Sequence, residues 1–223
     1  MSYYPIFLEL EGRTALVVGG GSVAQRKVET LLEHGASIRI VSNELTNKLK
    51  VLIETGTVLH AGDAFTEKHL DGVFLVFAAT DDRQLNHEIS ESARKNGLLI
   101  NAADQPADCD FIVPSIINRG DLSIAISTSG KSPALAKSIR KQLEPQFGKE
   151  YEIFLDLMGC LRHEVISLGL SQQENSRIFH EILHSDTLQA LKEGNLGEVE
   201  AALIRILPKE VGVKDILNRF VKS

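Results

Sequence analysis

The first hundred residues alternate short apolar runs with segments in which apolar residues recur at helical spacing. Residues 15–18 are apolar and precede three glycines, after which apolar side chains recur along one side of a predicted helix. An apolar run closed by turn residues is typical of a buried strand. Repeated strand and helix signals with short connections predict a parallel sheet. The other predicted elements of this region are strands at 37–41, 57–60, 73–79 and 98–101 and helices at 44–54 and 83–95.

The pattern changes after residue 104, where strand-like runs follow one another closely. From residue 151 onward, apolar residues recur only at helical spacing. We therefore predict an α/β fold with an N-terminal Rossmann-like parallel sheet at 1–112, a small α+β segment at 113–149 and a C-terminal helical bundle at 150–223. The predicted elements here are strands at 111–114, 115–117 and 122–127 and helices at 133–147, 154–168, 171–183, 196–207 and 213–221.

The glycines after the first apolar run carry the most specific motif in the chain. Gly19, Gly21 and Ala24 fit G-x-G-x-x-A, which marks a dinucleotide site when a strand precedes it and a helix follows. Gly19 permits the tight turn, Gly21 lets a pyrophosphate approach the backbone, and Ala24 lets the helix pack closely. The N–H groups at Ser22 and Val23 would then face the phosphates. The alternative is a glycine-rich turn that binds no ligand.

The residues after the second predicted strand indicate which dinucleotide is bound. An acidic residue about twenty positions beyond the glycines commonly binds the ribose 2′-hydroxyl of NAD. Glu44 lies slightly late for this role, and Asn43 could share it. No arginine follows the strand to bind a 2′-phosphate, so we predict NAD rather than NADP as the cofactor. Asn43 could equally cap the next helix.

Two further strand ends carry polar residues. Thr80 follows the most apolar strand, and Asp104 follows the last strand of the predicted parallel sheet. Ligands of doubly wound sheets lie at the carboxyl ends of the strands, so Thr80 is a candidate for cofactor binding. Asp104 is a candidate general base near the nicotinamide. The alternatives are helix capping for Thr80 and a turn-forming aspartate close to Pro106 for Asp104.

The charge of the chain limits the classes of molecule that it is expected to bind. The 223 residues carry a net charge of −6, which argues against a nucleic-acid-binding protein. Residues 113–150 are the exception, with six Lys and Arg against three Asp and Glu. A basic segment beside a nucleotide site suggests an anionic substrate. A solvated helix face would explain the same charges.

The N-terminus and the cysteines bear on location. No apolar run approaches the ~18 residues of a membrane helix, and the N-terminus lacks the basic and apolar regions of a signal peptide. Cys109 and Cys160 lie far apart in sequence and favour reduced thiols. We therefore expect a cytoplasmic protein that does not bind a membrane.

A Gly-Lys-Ser sequence at residues 130–132 precedes a predicted helix, as in a P-loop. A P-loop needs glycine where this chain has Ala125, so we exclude a nucleoside-triphosphatase. Lys131 and Ser132 still lie at a helix N-terminus, where carboxylates or phosphates bind readily. We predict Ser132 as the N-cap of this helix, with Pro133 at its first position.

His180 and His184 are four residues apart on a predicted helix, a spacing that can bind a metal. The sequence places no third ligand beside them, so ordinary surface histidines are the favoured interpretation. Cys160 and His163 are interpreted in the same way. We predict no metal site.

Several blocks together resemble one family, the NAD-dependent precorrin-2 dehydrogenases that occur as separate enzymes or as the N-terminal half of siroheme synthase. The likeness runs from about residue 4 to about residue 145 and fades in the helical tail. The combination of blocks is specific, whereas the glycine loop alone would not be. The matching blocks are residues 5–7, 18–27, 78–82, 101–104, 111–117 and 127–134.

This resemblance implies an NAD-binding Rossmann domain, a middle segment at 113–149 that forms an intertwined homodimer, and a helical C-terminal region. Family cofactor contacts fall on Ser22, Val23, Asn43 and Glu44, and the essential carboxylate falls on Asp104. The family's active-site serine falls next to Ser127, on Thr128, which departs from the pattern but keeps a hydroxyl. We take Ser127, Thr128, Lys131 and Ser132 as the substrate-binding candidates.

The implied activity is the NAD-dependent dehydrogenation of precorrin-2 to sirohydrochlorin in siroheme biosynthesis. Precorrin-2 carries eight carboxylates in the family chemistry, which accounts for a basic middle segment. One alternative is a bifunctional enzyme that also inserts ferrous iron into sirohydrochlorin, since some family members do so. A second alternative is an NAD(H)-sensing regulatory module that performs no chemistry.

Overall fold

A five-stranded parallel sheet forms the centre of the first half of the chain. The computed structural model describes residues 3–220, and the chain divides into two units between Val113 and Pro114. In the first unit the strand order is β3-β2-β1-β4-β5, and all neighbouring strands are parallel. The strands are β1 (Thr14–Val18), β2 (Ser37–Val41), β3 (Val58–Gly62), β4 (Leu75–Ala78) and β5 (Leu99–Ala102).

Helices cover both faces of this sheet: α1 (Ser22–Glu33), α2 (Asn47–Glu54) and α3 (Arg83–Lys95). Apolar residues of α1 and α2 pack with Val17 and Ile40 on one face. Ile89 of α3 packs with Leu16 and Val76 on the other. A sheet buried on both faces explains why its strands are continuous apolar runs. The strand order reverses beside β1, so the carboxyl ends of β1 and β4 border the crevice in which such sheets bind ligands.

The second unit begins with an antiparallel hairpin, formed by β6 (Ser115–Arg119) and β7 (Leu122–Ile126). Gly120 lies in the two-residue turn with φ 54°, a conformation that glycine adopts readily. Helix α4 (Pro133–Leu143) follows, and its N-cap Ser132 accepts a hydrogen bond from the N–H of Leu135 at 3.2 Å. This cap was predicted from the sequence.

The rest of the second unit is helical. One core joins its helices, with Leu157, Leu161, Ile182 and Leu203 fully buried. The predicted α/β class, with a parallel sheet, a small α+β segment and a helical C-terminal region, is therefore confirmed. The helices are α5 (Glu150–Ser167), α6 (Gln172–Leu183), α7 (Thr187–Lys192), α8 (Leu196–Ile206) and α9 (Val213–Phe220).

The structure differs from the predicted elements in several places, including the start of α2 at Asn47 rather than at residue 44. The run 111–114 forms no strand, because Phe111 packs edge-to-face on Phe77 with ring centroids 5.6 Å apart and its carbonyl accepts a hydrogen bond from Asn101. Helix α4 ends at Leu143, before Pro145, which has no N–H to continue it. Helix α7 was not predicted, since six residues are too few to show a period.

The last predicted helix was expected to reach residue 221, which lies outside the described residues. Among residues 3–220, no helix is both long enough and apolar enough to cross a membrane. The division at residue 113 separates two units, and the three-part division into 1–112, 113–149 and 150–223 stays a prediction.

The N-terminus of α6 is a capping box that can be tested. Ser171 Oγ accepts from the Glu174 N–H at 3.2 Å, and the Glu174 carboxylate accepts from the Ser171 N–H at 3.1 Å and from its hydroxyl at 2.6 Å. Those bonds lower the pKa of Glu174. We expect Ser171→Ala to destabilise the chain by about 1 kcal/mol at pH 7, as lost caps commonly do, measured by urea unfolding.

The difference in stability between the parent and Ser171→Ala depends on pH. Because the pKa of Glu174 is depressed in the folded chain, its contribution is present above the unfolded pKa and is lost as pH falls through the folded pKa. The parent and Ser171→Ala should therefore approach each other in acid. Ser176→Ala, an exposed serine within α6, is the control, and an equal loss there would contradict the capping account.

Candidate functional site

The loop after β1 is tightly packed against two neighbouring loops. Gly19 has φ 117°, and a Cβ on it would collide with the carbonyl of Ala79. A Cβ on Gly20 would collide with the carbonyl of Glu44. The N–H of Gly19 donates to the Val41 carbonyl at 2.9 Å. Glycine is therefore required at both positions by the protein's own backbone.

Gly21 differs, because no packing explains why it is glycine. It has φ −79° at the N-cap of α1, and an added Cβ would meet no atom within 4 Å. No side chain within the described residues caps α1, and the first turn of this helix holds no acidic residue. The first-turn N–H groups, including those of Ser22 and Val23, therefore have no capping side chain among residues 3–220. This space and these donors fit a pyrophosphate, as the dinucleotide fingerprint requires.

Ala24 is a completely buried residue of α1, and its small side chain lets this helix lie close to the sheet. Its position agrees with the packing argument made from the sequence. A larger side chain would have to displace α1 and with it the first-turn N–H groups. The five fingerprint residues thus lie together at the carboxyl end of β1.

Asn43 and Glu44 lie in the loop after β2, and both are exposed. The alternative that Asn43 caps the next helix was wrong, because Thr46 is the N-cap of α2 and accepts from the N–H of Leu49 at 3.3 Å. The N–H of Thr46 donates to the Gly20 carbonyl at 3.0 Å. This bond holds the loop of Asn43 and Glu44 against the glycine loop.

Thr80 follows β4 and is bonded within its own unit. Its hydroxyl donates to Asn86 Oδ1 at 2.8 Å, and the Asn86 amide donates to the Thr80 carbonyl at 3.0 Å. Asn86 is buried, so these bonds fix the peptide that lies against Gly19. Asp82, rather than Thr80, caps α3. Cofactor contact by Thr80 stays a prediction, and its backbone is the part placed next to the glycine loop.

Asp104 follows β5 at the same edge of the sheet. Its φ is 56°, and its side chain is exposed. Within residues 3–220 no hydrogen bond or ion pair engages its carboxylate. The N–H of Ala103 donates to the Ala78 carbonyl at 2.8 Å, which joins this loop to the end of β4. The turn role considered for Asp104 is present in its backbone, while its carboxylate stays available.

The loop after Asp104 is anchored by residues that the sequence did not single out. The buried carboxylate of Asp108 bonds the His87 ring at 2.8 Å and accepts from the Gln105 amide at 2.9 Å. Arg94 donates to Asp110 at 3.0 Å. Since His87 and Arg94 lie on α3, both pairs tie the loop to that helix. Pairs so far apart in sequence carry no local signal.

Cys109 belongs to this loop, and its side chain is partly buried. Its thiol donates to the Ala102 carbonyl at 3.2 Å, and burial raises its pKa. Lys27 of α1 lies over the Phe77 ring, with 5.2 Å between its ammonium and the ring centroid. Burial is also the main cause that lowers the pKa of Lys27, and the neighbouring Arg26 lowers it further. These groups therefore form a partly dehydrated layer behind the candidate site.

The two thiols should differ in reactivity. Since the thiolate is the nucleophile, a raised pKa and burial slow alkylation of Cys109. Cys160 is exposed on α5. We expect iodoacetamide at pH 8 to label Cys160 at least about tenfold faster than Cys109, measured by mass spectrometry of peptides. Cys160→Ser should remove the fast phase only, and equal rates for the two thiols would contradict this account.

The four substrate-binding candidates lie together in the second unit, in the turn between β7 and α4. Ser127 Oγ accepts from the Ser129 N–H at 3.0 Å, and Thr128 Oγ1 accepts from the Ser132 N–H at 3.1 Å. Ser132 caps α4, as described above. These hydroxyls brace the turn, and each keeps an O–H that can donate to a ligand. Lys131 is exposed and has no side-chain partner in the part of the chain that the structure describes.

No group of three or more His, Cys, Asp and Glu side chains within the described range is arranged to hold a metal ion. The roles assigned to the individual candidate residues stay predictions. What the structure adds is their grouping, with the cofactor candidates and Asp104 at one edge of the parallel sheet and the substrate candidates in one turn.

Comparisons with known proteins bear on the family to which the chain belongs. Residues 6–115 match the family described as "Putative NAD(P)-binding", and residues 119–146 match "Sirohaem biosynthesis protein central". The first match confirms the prediction that the cofactor is a nicotinamide dinucleotide.

Curated relatives include two siroheme synthases. That of Photorhabdus laumondii is 37% identical over 91% of this chain and 43% of its own length. Siroheme synthase 1 of Serratia proteamaculans is 49% identical over 74% of this chain and 35% of its own length. The chain thus spans about two fifths of the length of the first relatives, with 43%, 40% and 42% covered.

One solved structure covers nearly the whole chain. SirC, a precorrin-2 dehydrogenase, has a TM-score of 0.72 and 27% sequence identity, and the match covers 99% of this chain and 100% of that one. The similarity therefore extends through the helical tail, where the sequence resemblance was faint.

Proposed function

The chain belongs to the siroheme-biosynthesis family that includes siroheme synthases and SirC, and on this premise we propose that it dehydrogenates precorrin-2 to sirohydrochlorin with NAD. One observation carries the proposal. The uncapped N-terminus of α1 and the unpaired carboxylate of Asp104 lie at the same edge of one sheet, with β4 between their strands. Two strand spacings amount to about 10 Å, a distance that a dinucleotide extended across the crevice spans.

The reaction removes one hydride and one proton from the macrocycle. NAD, when bound, supplies the two-electron acceptor for the hydride. The chain's residues do the rest: the first turn of α1 holds the pyrophosphate, and Asp104 takes the proton at a pyrrole nitrogen. A carboxylate in reach of this proton contributes by general-base catalysis. The anchored loop, through Asp108 and His87, keeps Asp104 at the sheet edge.

The preference for NAD over NADP comes from the loop after β2. Glu44 is exposed there beside Asn43, and its carboxylate suits a ribose 2′-hydroxyl but repels a 2′-phosphate. The backbone bond from Thr46 to Gly20 fixes the distance between this loop and the glycine loop. The exposed carboxylate of Glu44 therefore supports NAD as the form that is used.

The substrate is polyanionic, and the turn between β7 and α4 offers suitable donors. Lys131 supplies a mobile cation, and the hydroxyls of Ser127, Thr128 and Ser132 supply hydrogen bonds. A helix N-terminus adds a favourable potential for carboxylates. This turn is the proposed contact for the acetate and propionate groups of the macrocycle.

The test is an anaerobic assay of the purified chain with precorrin-2 and NAD. We expect sirohydrochlorin to form together with an equal amount of NADH, followed by absorbance. NADP in place of NAD should give slower turnover at equal concentration. Binding of NAD without product would favour the alternative of an NAD(H)-sensing module.

A second activity, insertion of Fe²⁺ into sirohydrochlorin, is favoured by the siroheme synthase relatives. Metal insertion displaces two pyrrole protons, and the exposed Asp104 carboxylate could accept them. The assay is addition of Fe²⁺ to sirohydrochlorin without NAD. A rate equal to that of the free reaction would leave the dehydrogenase as the only activity.

We also propose that the chain works as a homodimer in the cytoplasm. Among residues 3–220 the β6–β7 sheet has two strands, so each strand has one edge that pairs with no other described strand. Such small sheets commonly gain stability by further pairing. Cys109 and Cys160 are both free thiols, as in a reducing compartment. Light scattering of the eluted protein tests the dimer.

A further inference from the structure

The last turn of α6 brings two imidazole rings together. The Nε2 atoms of His180 and His184 are 3.3 Å apart, and the ring centroids are 4.3 Å apart. Both side chains are exposed. Neither residue takes part in the candidate functional site described above.

The backbone keeps the two residues on the same turn of the helix. The N–H of His184 donates to the His180 carbonyl at 3.1 Å, which closes the last turn of α6. Ile178 and Ile182 on the opposite side of the helix are buried in the core of the second unit. Since both residues belong to the same well-packed helix, only side-chain rotation changes the distance between the rings.

The distance between the two nitrogens suits a tetrahedral metal ion. Zinc binds imidazole nitrogen at about 2.0–2.1 Å, so two nitrogens of one tetrahedral ion lie about 3.3–3.4 Å apart. The observed 3.3 Å falls at this value. The ring centroids are 4.3 Å apart, so both rings must also rotate to about 5 Å between centroids before the two nitrogens point at one ion. In the absence of metal, the same distance allows one ring to donate its single Nε2 proton to the other ring.

We propose that His180 and His184 form a two-ligand site for a divalent transition-metal ion of the zinc, copper and nickel class. The ion takes the place of the shared proton, and both rings coordinate through Nε2 as neutral imidazoles. The proton is released to solvent. Water or a small anion completes the coordination, since both rings face solvent.

The site differs in chemistry from the proposed iron substrate. Two neutral imidazoles favour Cu²⁺, Ni²⁺ and Zn²⁺ over Fe²⁺, which lies low in the order of affinities. Arg177 and Glu181 line a shallow surface groove together with His180. Bound metal would cross-link the last turn of α6 and stabilise the folded chain by mass action.

The test titrates chelator-treated full-length protein with ZnCl₂ by calorimetry, with the histidine Cε1–Hε1 NMR signals as a second readout. We expect one Zn²⁺ per chain, with both signals shifting together. His180→Gln and His184→Asn should each weaken Zn²⁺ binding by at least about tenfold, because the single remaining imidazole cannot chelate the ion. Each variant keeps its fold, since both side chains are exposed, and unfolding without metal checks this.

His163→Gln is the matched control, because His163 is exposed on α5, three residues after the exposed Cys160. It should leave Zn²⁺ affinity unchanged. Equal affinity of the parent and both single variants would overturn the proposal. Loss of binding in His163→Gln, with retention in His180→Gln, would also overturn it and assign the metal to α5. Neither outcome depends on dehydrogenase activity, so the metal site is tested separately from the proposed function.

Discussion

The Asp104→Asn variant is expected to lose roughly 10²–10⁴-fold in the turnover of precorrin-2 while binding NAD as tightly as the parent chain. The loss follows because the amide cannot accept the pyrrole proton. Binding is retained because the pyrophosphate donors belong to α1, two strands away along the sheet edge. Turnover is measured by absorbance under saturating NAD, and NAD affinity by calorimetry.

Asparagine is a better replacement than alanine at this position. Asp104 has φ 56°, and asparagine tolerates the left-handed region that strains alanine. Asp71→Asn is the matched control, since Asp71 is an exposed aspartate that lies before β4. It should keep full turnover. Unchanged turnover in Asp104→Asn would remove Asp104 from the mechanism, and lost NAD binding would show that its role is structural.

Replacement by alanine is expected to lower the free energy of unfolding strongly at Gly19 and to leave it almost unchanged at Gly21. Gly19→Ala places a Cβ against the Ala79 carbonyl at φ 117°, so collision and backbone strain add. We expect a loss of roughly 3–5 kcal/mol in the free energy of unfolding. Gly21→Ala meets open space at an ordinary φ, and its stability should change by less than about 0.5 kcal/mol.

NAD binding separates the two variants further. The Cβ of Gly21→Ala would occupy the space proposed for the pyrophosphate, so its NAD affinity should fall at least about tenfold although the fold is intact. Urea unfolding and calorimetry of the same two proteins measure both effects. If Gly21→Ala binds NAD normally, the pyrophosphate lies elsewhere. If Gly19→Ala is as stable as the parent, the close packing of this loop is wrong.

The sequence predicts the sheet well because its signals are local. The predicted limits of β2 and α3 agree with the structure to the residue, since turn residues and the Asp82 cap mark their ends. The glycine motif also locates its own site, because strand, turn and helix are consecutive. The same locality explains the correct prediction of Ser132 as a cap.

What the sequence misses depends on contacts between distant residues. Asp108 pairs with His87 across 21 positions, and Cys109 bonds the end of β5. Neither pairing leaves a periodic or compositional trace. The distance between the His180 and His184 nitrogens also needs coordinates, because helical spacing alone allows many ring orientations.

The bonds that join the glycine loop to its neighbours have a thermodynamic consequence. Gly19 is bonded to Val41, and Thr46 is bonded to Gly20, so the loops after β1 and β2 are already rigid before any ligand arrives. Preorganised loops lose little conformational entropy on association. Hydrogen exchange at these amides should therefore be slow in the free protein and should slow little more when the ligand is added.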